Sequence, residues 1–159
     1  MATATHKADM VHENLDPAHK PGVPAGTLAV EIRSPDGPLW SGSAKSLRVP
    51  ESLGLMGILP RHAPLIGTLE AGLTTIRETD GGERRLITGD GFLEIAAGHV
   101  LMLVDFGEDP ARVDVARAKE ARDRAISRLR SPAEDVDLIR AEAALRRALV
   151  RLRFAEPSG

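Results

Sequence analysis

Between Thr27 and Gly107 the chain alternates apolar and polar positions over short stretches. Leu28, Val30 and Ile32 interleave with Ala29, Glu31 and Arg33, which puts one apolar face on a strand. Ser34-Pro35-Asp36-Gly37 follows with the residues of a tight turn, and Leu39 to Val49 reads as a second strand with Leu47 and Val49 inward. Leu73 to Glu78 and Arg84 to Thr88 flank Asp80-Gly81-Gly82 as a hairpin. Gly91 to Ile95 and Val100 to Val104 flank Ala96 to His99 as another. Short strands separated by glycine-rich turns predict a sandwich or barrel over residues 27–107.

The period changes at Asp109-Pro110. Asp109 suits a helix cap and Pro110 its first position, and Ala111 to Arg130 then run without Gly or Pro. Ser131-Pro132 ends this helix and starts another, with Asp135 and Asp137 at its N-terminal end and Arg151 and Arg153 at its C-terminal end. Leu138, Ala141, Leu145, Ala148 and Leu152 recur at three and four as one buried stripe; Val115, Ala118, Ala121, Ala125 and Leu129 are a partial counterpart. The short connection makes residues 108–153 an antiparallel helical hairpin, its helices about 20 residues and about 30 Å long. Its seam is alanine-rich, and each missing methylene removes roughly 0.8 kcal/mol of burial. Close but weak packing suits an arm that leaves its seat; it equally suits a plain structural hairpin, because Ala favours helix.

Charge follows the same division. Of the 159 residues, Met1 to Pro110 hold 9 Lys/Arg against 15 Asp/Glu, and Ala111 to Arg153 hold 12 against 7. The basic hairpin therefore suits an anionic partner: a nucleotide, an acidic protein surface, an anionic membrane or a nucleic acid. Nucleic acid fits least, because no aromatic residues interleave with the arginines. Residues 1–26 show no apolar period and carry Pro17, Pro21 and Pro24, so a disordered tail is expected; 154–159 reads as a second tail. His6, His12 and His19 are spaced by six and seven without a partner carboxylate, and no metal site is expected. There is no cysteine, no secretory signal and no apolar run near the roughly 18 residues of a membrane span. A bacterial cytoplasmic protein without direct membrane insertion is the expectation.

One stretch remains: Gly54-Leu55-Met56-Gly57-Ile58-Leu59-Pro60-Arg61-His62-Ala63-Pro64-Leu65. It reads as a strand end feeding a rigid turn that dips back into a core. Its wording resembles the Pro-x-His-Ala-Pro-Leu signature of the epsilon subunit of F-type ATP synthases. Three further stretches agree in order: Ile32 to Gly37 with Leu39-Trp40-Ser41-Gly42; Thr88 to Ile95, in which Asp90 departs from the family's glycine pair; and Val113-Asp114-Val115-Ala116-Arg117-Ala118, similar to the family's Ile/Leu-Asp-x-x-Arg-Ala. The resemblance covers about Leu28 to Leu152 and implies a β-sandwich N-terminal domain followed by an antiparallel α-helical hairpin.

The resemblance also implies a function. Such a subunit has no catalytic site of its own. It belongs to the rotor, or central stalk, of a proton-translocating enzyme on the cytoplasmic face of the bacterial plasma membrane. Its partners are the gamma subunit, the c-ring and the catalytic alpha/beta subunits, and its mobile hairpin inhibits ATP hydrolysis. No cofactor is required, but several relatives hold a regulatory ATP on the folded hairpin. Carried over to this chain, that site comprises Glu108, Asp114, Arg117, Arg147 and Arg151. The arginines supply charge and multiple donors for phosphates. Asp114 fixes an arginine or accepts from base or ribose. Arg147 and Arg151 share a helix face, which reads equally as a solvated face. No Gly-x-x-x-x-Gly-Lys-Ser/Thr loop is present.

Other readings compete. A stand-alone nucleotide-sensing adaptor with the same fold would bind ATP without a gamma partner. A hydrolase built around His62 lacks a nucleophile, orienting acid and oxyanion donors. Pro60, His62 and Pro64 are therefore expected to be a structural motif or partner contact, Asp90 a turn residue, and Trp40 a half-buried core or interface residue.

Overall fold

In the computed structural model, residues 22–130 and 137–156 are described. The expectations for most of the tail, for its histidines, and for Ser131-Pro132 and Asp135 lie outside them. The strands are β1 (Leu28–Ser34), β2 (Gly37–Glu51), β3 (Gly54–Ile58), β4 (Leu65–Leu69), β5 (Gly72–Glu78), β6 (Glu83–Thr88), β7 (Gly91–Ala96), β8 (His99–Val104) and β9 (Gly107–Glu108). A 3-10 turn (Pro110–Arg112), α1 (Val115–Arg130) and α2 (Leu138–Phe154) follow.

The 15-residue β2 organises the sandwich because it is too long for one layer. Its first half pairs antiparallel with β1, Ile32 opposite Trp40 and Leu28 opposite Ala44. After an irregularity between Ala44 and Ser46, its second half lies between β3 and β5, with Leu47 opposite both Ile58 and Ile76. One layer is thus β4-β7-β8-β1 continued into β2, the other β3-β2-β5-β6-β9. β1 and β8 run parallel, Ile32 beside Met102. The alternating residues fill the space between: Leu28, Ile32, Leu47, Ile58, Ile76 and Met102 are all fully buried in one cluster. Trp40 is half-buried against it.

The segment after β3 departs in part from expectation. Ile58 enters the core, but Leu59 is 61 % exposed and Ala63 is also exposed. The His62 N–H donates to Leu59 O at 3.0 Å across Pro60-Arg61, and Arg61 has φ 66°. Pro at the second position and positive φ at the third make a type II turn. That turn holds the segment at the surface until Leu65 starts β4.

The first helix also starts later than Ala111. Asp109 accepts from Ala111 N at 2.9 Å and caps only the 3-10 turn. Val113 is extended (φ −65°, ψ 121°) and buries its side chain, and Asp114 then caps α1 by accepting from Arg117 N at 2.9 Å. Asp137 caps α2 by accepting from Arg140 N at 3.0 Å. The helices pack on each other. Their fully buried positions include Ala118 and Ala125 on α1 and Ala141 and Ala148 on α2, each pair seven residues apart. Val115 and Leu138, expected in the stripe, are exposed; each is the first residue of its helix. Glu108 lies in β9, opposite Ile87, and so belongs to the sandwich edge. At the other end α2 runs through Phe154, and the Glu156 N–H donates to Pro110 O at 3.1 Å.

Leu47→Ala removes a side chain enclosed by strands on both sides. The expected loss is about 2–5 kcal/mol, read as a lower midpoint in urea unfolding with unchanged slope.

Candidate functional site

The second half of β6, Leu86 to Thr88, is buried on both faces. Leu86 enters the sandwich core, while Ile87 points the other way and clusters with Val113 and Val150. Ala71, Leu73, Phe106, Phe154 and Ala155 rim this second cluster. It is the apolar seat of the hairpin, and Val150 is the α2 side chain pressed into it.

Around the seat, arginines of α2 meet carboxylates of the sandwich. Arg151 Nε donates to Glu108 Oε2 at 3.0 Å, and its guanidinium stacks 4.4 Å from the Phe106 ring centroid. This charge-assisted bond over an aromatic face is the best-formed polar contact of the interface. Arg147 Nη1 lies 3.8 Å from Asp105 Oδ2, and Arg146 Nη2 lies 3.5 Å from Asp90 Oδ2. Those two are charge pairs at half-exposed positions, worth at most about 1 kcal/mol each. Arg85 of β6 pairs with Glu156 beyond α2. A cleft of about 500 Å³ opens beside these groups, lined by Glu70, Ala71, Asp90, Arg146, Leu149 and Arg153 among others.

Asp90 and Asp105 come together through two close backbone approaches. A Cβ on Gly89 would collide with the side chains of Asp105 and Phe106, and one on Gly91 with the backbone of Leu103 and Val104. The glycines let the chain after β8 lie directly on the chain after β6: Gly89 N–H donates to Phe106 O, and Asp105 N–H donates to Asp90 O, both at 2.9 Å. Asp90 Oδ1 also accepts from Ala71 N at 2.8 Å, which ties down the turn between β4 and β5. Desolvation first, and the charge of Asp90 second, push the Asp105 carboxyl above the usual carboxylate range; Arg147 pulls the other way.

The residues expected to hold a nucleotide fall into two sets. Glu108, Arg147 and Arg151 gather at the seat, paired with sandwich groups. Asp114 and Arg117 form the first turn of α1, where Asp114 is occupied as a helix cap. The antiparallel hairpin brings that turn to the same end as the last turn of α2. Sequence reasoning passed over Asp105, Phe106 and Arg146. Asp105 and Phe106 follow a strand without a motif of their own, and Arg146 is one arginine in a run. Pro60 and His62 are half-buried and Pro64 exposed; His62 Nδ1 sits 2.9 Å from Ala63 O, donating in the tautomer that carries the Nδ1 proton. A wider groove of about 660 Å³ on α1, lined by Arg122, Asp123, Ile126, Ser127 and Arg130, includes none of these residues. Among the described residues no three His, Asp or Glu side chains converge on a metal position, and no helix is long and apolar enough to cross a membrane.

A sandwich carrying a two-helix hairpin on its edge, with arginines of the hairpin facing carboxylates of the sandwich, defines a class of two-part subunits. The family model described as "ATP synthase, Delta/Epsilon chain, beta-sandwich domain" matches residues 27–110, and "ATP synthase, Delta/Epsilon chain, long alpha-helix domain" matches 113–156. The chain belongs to this ATP synthase delta/epsilon family, as an epsilon-type subunit. It is 42 % identical to the ATP synthase epsilon chain of Moorella thermoacetica over 129 residues, 81 % of this chain and 96 % of that one. It is 40 % identical to that of Desulfitobacterium hafniense (strain DSM 10664 / DCB-2) over 132 residues, 82 % and 98 %. Its fold is similar to a chain of the cryo-EM structure of Euglena gracilis mitochondrial ATP synthase, with a TM-score of 0.66 and 20 % identity over 76 % of each chain.

Because folded Asp105 keeps its proton more readily than an unfolded carboxylate, its ionisation opposes the fold. That penalty is fully present above the raised value and vanishes as pH falls below the ordinary carboxylate range. Asp105→Asn abolishes it at every pH. The stability difference between the two proteins should therefore shift toward the native one as pH is lowered through this window, as measured by urea unfolding at stepped pH.

Proposed function

We propose that this chain is the non-catalytic rotor subunit of a proton-translocating F-type ATP synthase, joining gamma to the c-ring, and that its hairpin leaves the sandwich to brake ATP hydrolysis. The observation that carries the reading is the seat itself. An entire basic hairpin rests on a few apolar side chains and on ion pairs that are mostly half-exposed. Such a contact releases at modest cost, whereas the sandwich core, with more than a dozen buried residues, does not. The 12 basic against 7 acidic residues from Ala111 to Arg153 suit a released arm that meets acidic catalytic subunits. In this reading the chain works at the cytoplasmic face of the bacterial plasma membrane, and Pro60, His62 and Pro64 stiffen a surface turn for partner contact.

A regulatory ATP belongs to the same proposal. Arg147, Arg151 and Arg117 supply donors for its phosphates, with Glu108 and Asp114 toward ribose and base, all at one end of the hairpin. Arg151 would exchange its bond to Glu108 for one to phosphate.

Added to a matched alpha/beta/gamma complex, the chain is expected to inhibit ATP hydrolysis, and deletion of residues 109–159 to relieve the inhibition. Unchanged hydrolysis in both cases removes the brake. In calorimetry of the free chain, Arg117→Ala and Arg147→Ala should each weaken ATP binding by about tenfold or more. Equal affinity in native and variant proteins removes these residues from the site.

A further inference from the structure

Asp90, which lies between two glycines, leads to a feature of the hairpin's seat. Asp90 and Asp105 stand side by side because Gly89 and Gly91 let two connections of the sandwich touch. Two like charges so placed raise each other's energy, and the upward push on Asp105 from Asp90 is the electrostatic trace of that proximity. Two consecutive residues of α2, Arg146 and Arg147, reach this pair, one to each carboxylate, at 3.5 and 3.8 Å. Consecutive residues on a helix diverge by about 100°. Both reach acids here because the acids belong to two different connections of the sandwich.

We propose that Asp90 with Asp105 and Arg146 with Arg147 form a charge clasp that holds the hairpin on the sandwich without any ligand. The proposal rests on the mobile-arm reading and adds the means by which this chain sets its resting position. The clasp works from two sides. Docking gives each arginine a counter-charge, and it also relieves the mutual repulsion that Asp90 and Asp105 keep when the hairpin is away. Asp90 is the pivotal residue: one oxygen is committed to Ala71 N at 2.8 Å, which fixes the carboxylate, and the other faces Arg146. A fixed carboxylate needs no ordering when the arginine arrives, so little entropy opposes the contact. Exposure keeps each pair weak and sensitive to screening. The clasp therefore biases the arm and does not lock it.

The absence of cysteine makes the test clean. Spin labels at Ser43→Cys on β2 and Ile139→Cys on α2, both exposed positions, report the docked and released distances in the full chain by pulsed electron resonance. Arg146→Gln with Arg147→Gln should raise the released-to-docked ratio about threefold to tenfold. Asp90→Asn keeps the oxygen that accepts from Ala71 and should raise the ratio about twofold to fivefold. Combined with Arg146→Gln it should add little, the non-additivity of a direct pair. Raising salt to about 1 M, where charges are screened beyond about 3 Å, should bring the native protein to the level of the variants. Val150→Asp, which attacks the apolar seat, is the control for release. If Val150→Asp releases the arm while the charge variants and salt change nothing, the clasp is overturned and the mobile arm stands. If none of the variants, Val150→Asp included, alters the distances, the mobile-arm reading fails and the clasp with it.

Discussion

Ile87 is the side chain on which the two halves of this molecule meet. A strand inside a sandwich normally turns alternate residues toward water, and at β6 that solvent position is covered by α2. Ile87 is fully buried although it points away from the main core. The contact between sandwich and hairpin depends on this one outward isoleucine finding Val150 and Val113. Without that cover it would lie bare on the sheet face, and with it the arginines of α2 are brought within reach of Asp90, Asp105 and Glu108.

The seat combines two kinds of contact with different tolerance. Apolar burial there is small but dry, and insensitive to salt. The ion pairs around it are wetter, and they weaken with screening. Arg151 is intermediate, since its stack on Phe106 shields its bond to Glu108. Such a mixture gives a contact that orients the hairpin strictly while holding it loosely. Within the hairpin the same economy operates at the seam, where alanines spaced by seven permit close helices with little apolar area. A hairpin with a leucine-filled seam would be stiffer and more stable, and would gain nothing in its hold on the sandwich.

The sandwich supplies the opposite property. β2 runs through both layers, so neither can separate without breaking pairings along its whole length. That continuity makes a rigid base, and at Gly89 and Gly91 two of its connections touch, which puts Asp90 and Asp105 on adjacent, hydrogen-bonded backbone. The surface on which the hairpin rests is thus fixed by backbone contact.

The local elements were legible in the chain itself, because their signals are short-range. Leu28, Val30 and Ile32 alternate with the period of a strand, and Ala141, Leu145 and Ala148 recur with that of a helix, wherever the rest of the chain lies. The start of α1 was less legible: Asp109-Pro110 reads as the beginning of the helix but caps only a single turn, and Asp114, read as a nucleotide contact, is the cap of α1. What lay outside the sequence's reach was every pairing across the chain. Ile87 looked like one more alternating residue, Asp90 like a turn former, and Arg146 like one arginine among several. Their partners are tens of residues distant, and proximity of that kind is decided by how the layers close and where the hairpin comes to rest. Side-chain chemistry fixes which contacts are favourable, but only the packed backbone decides which groups are close enough to make them.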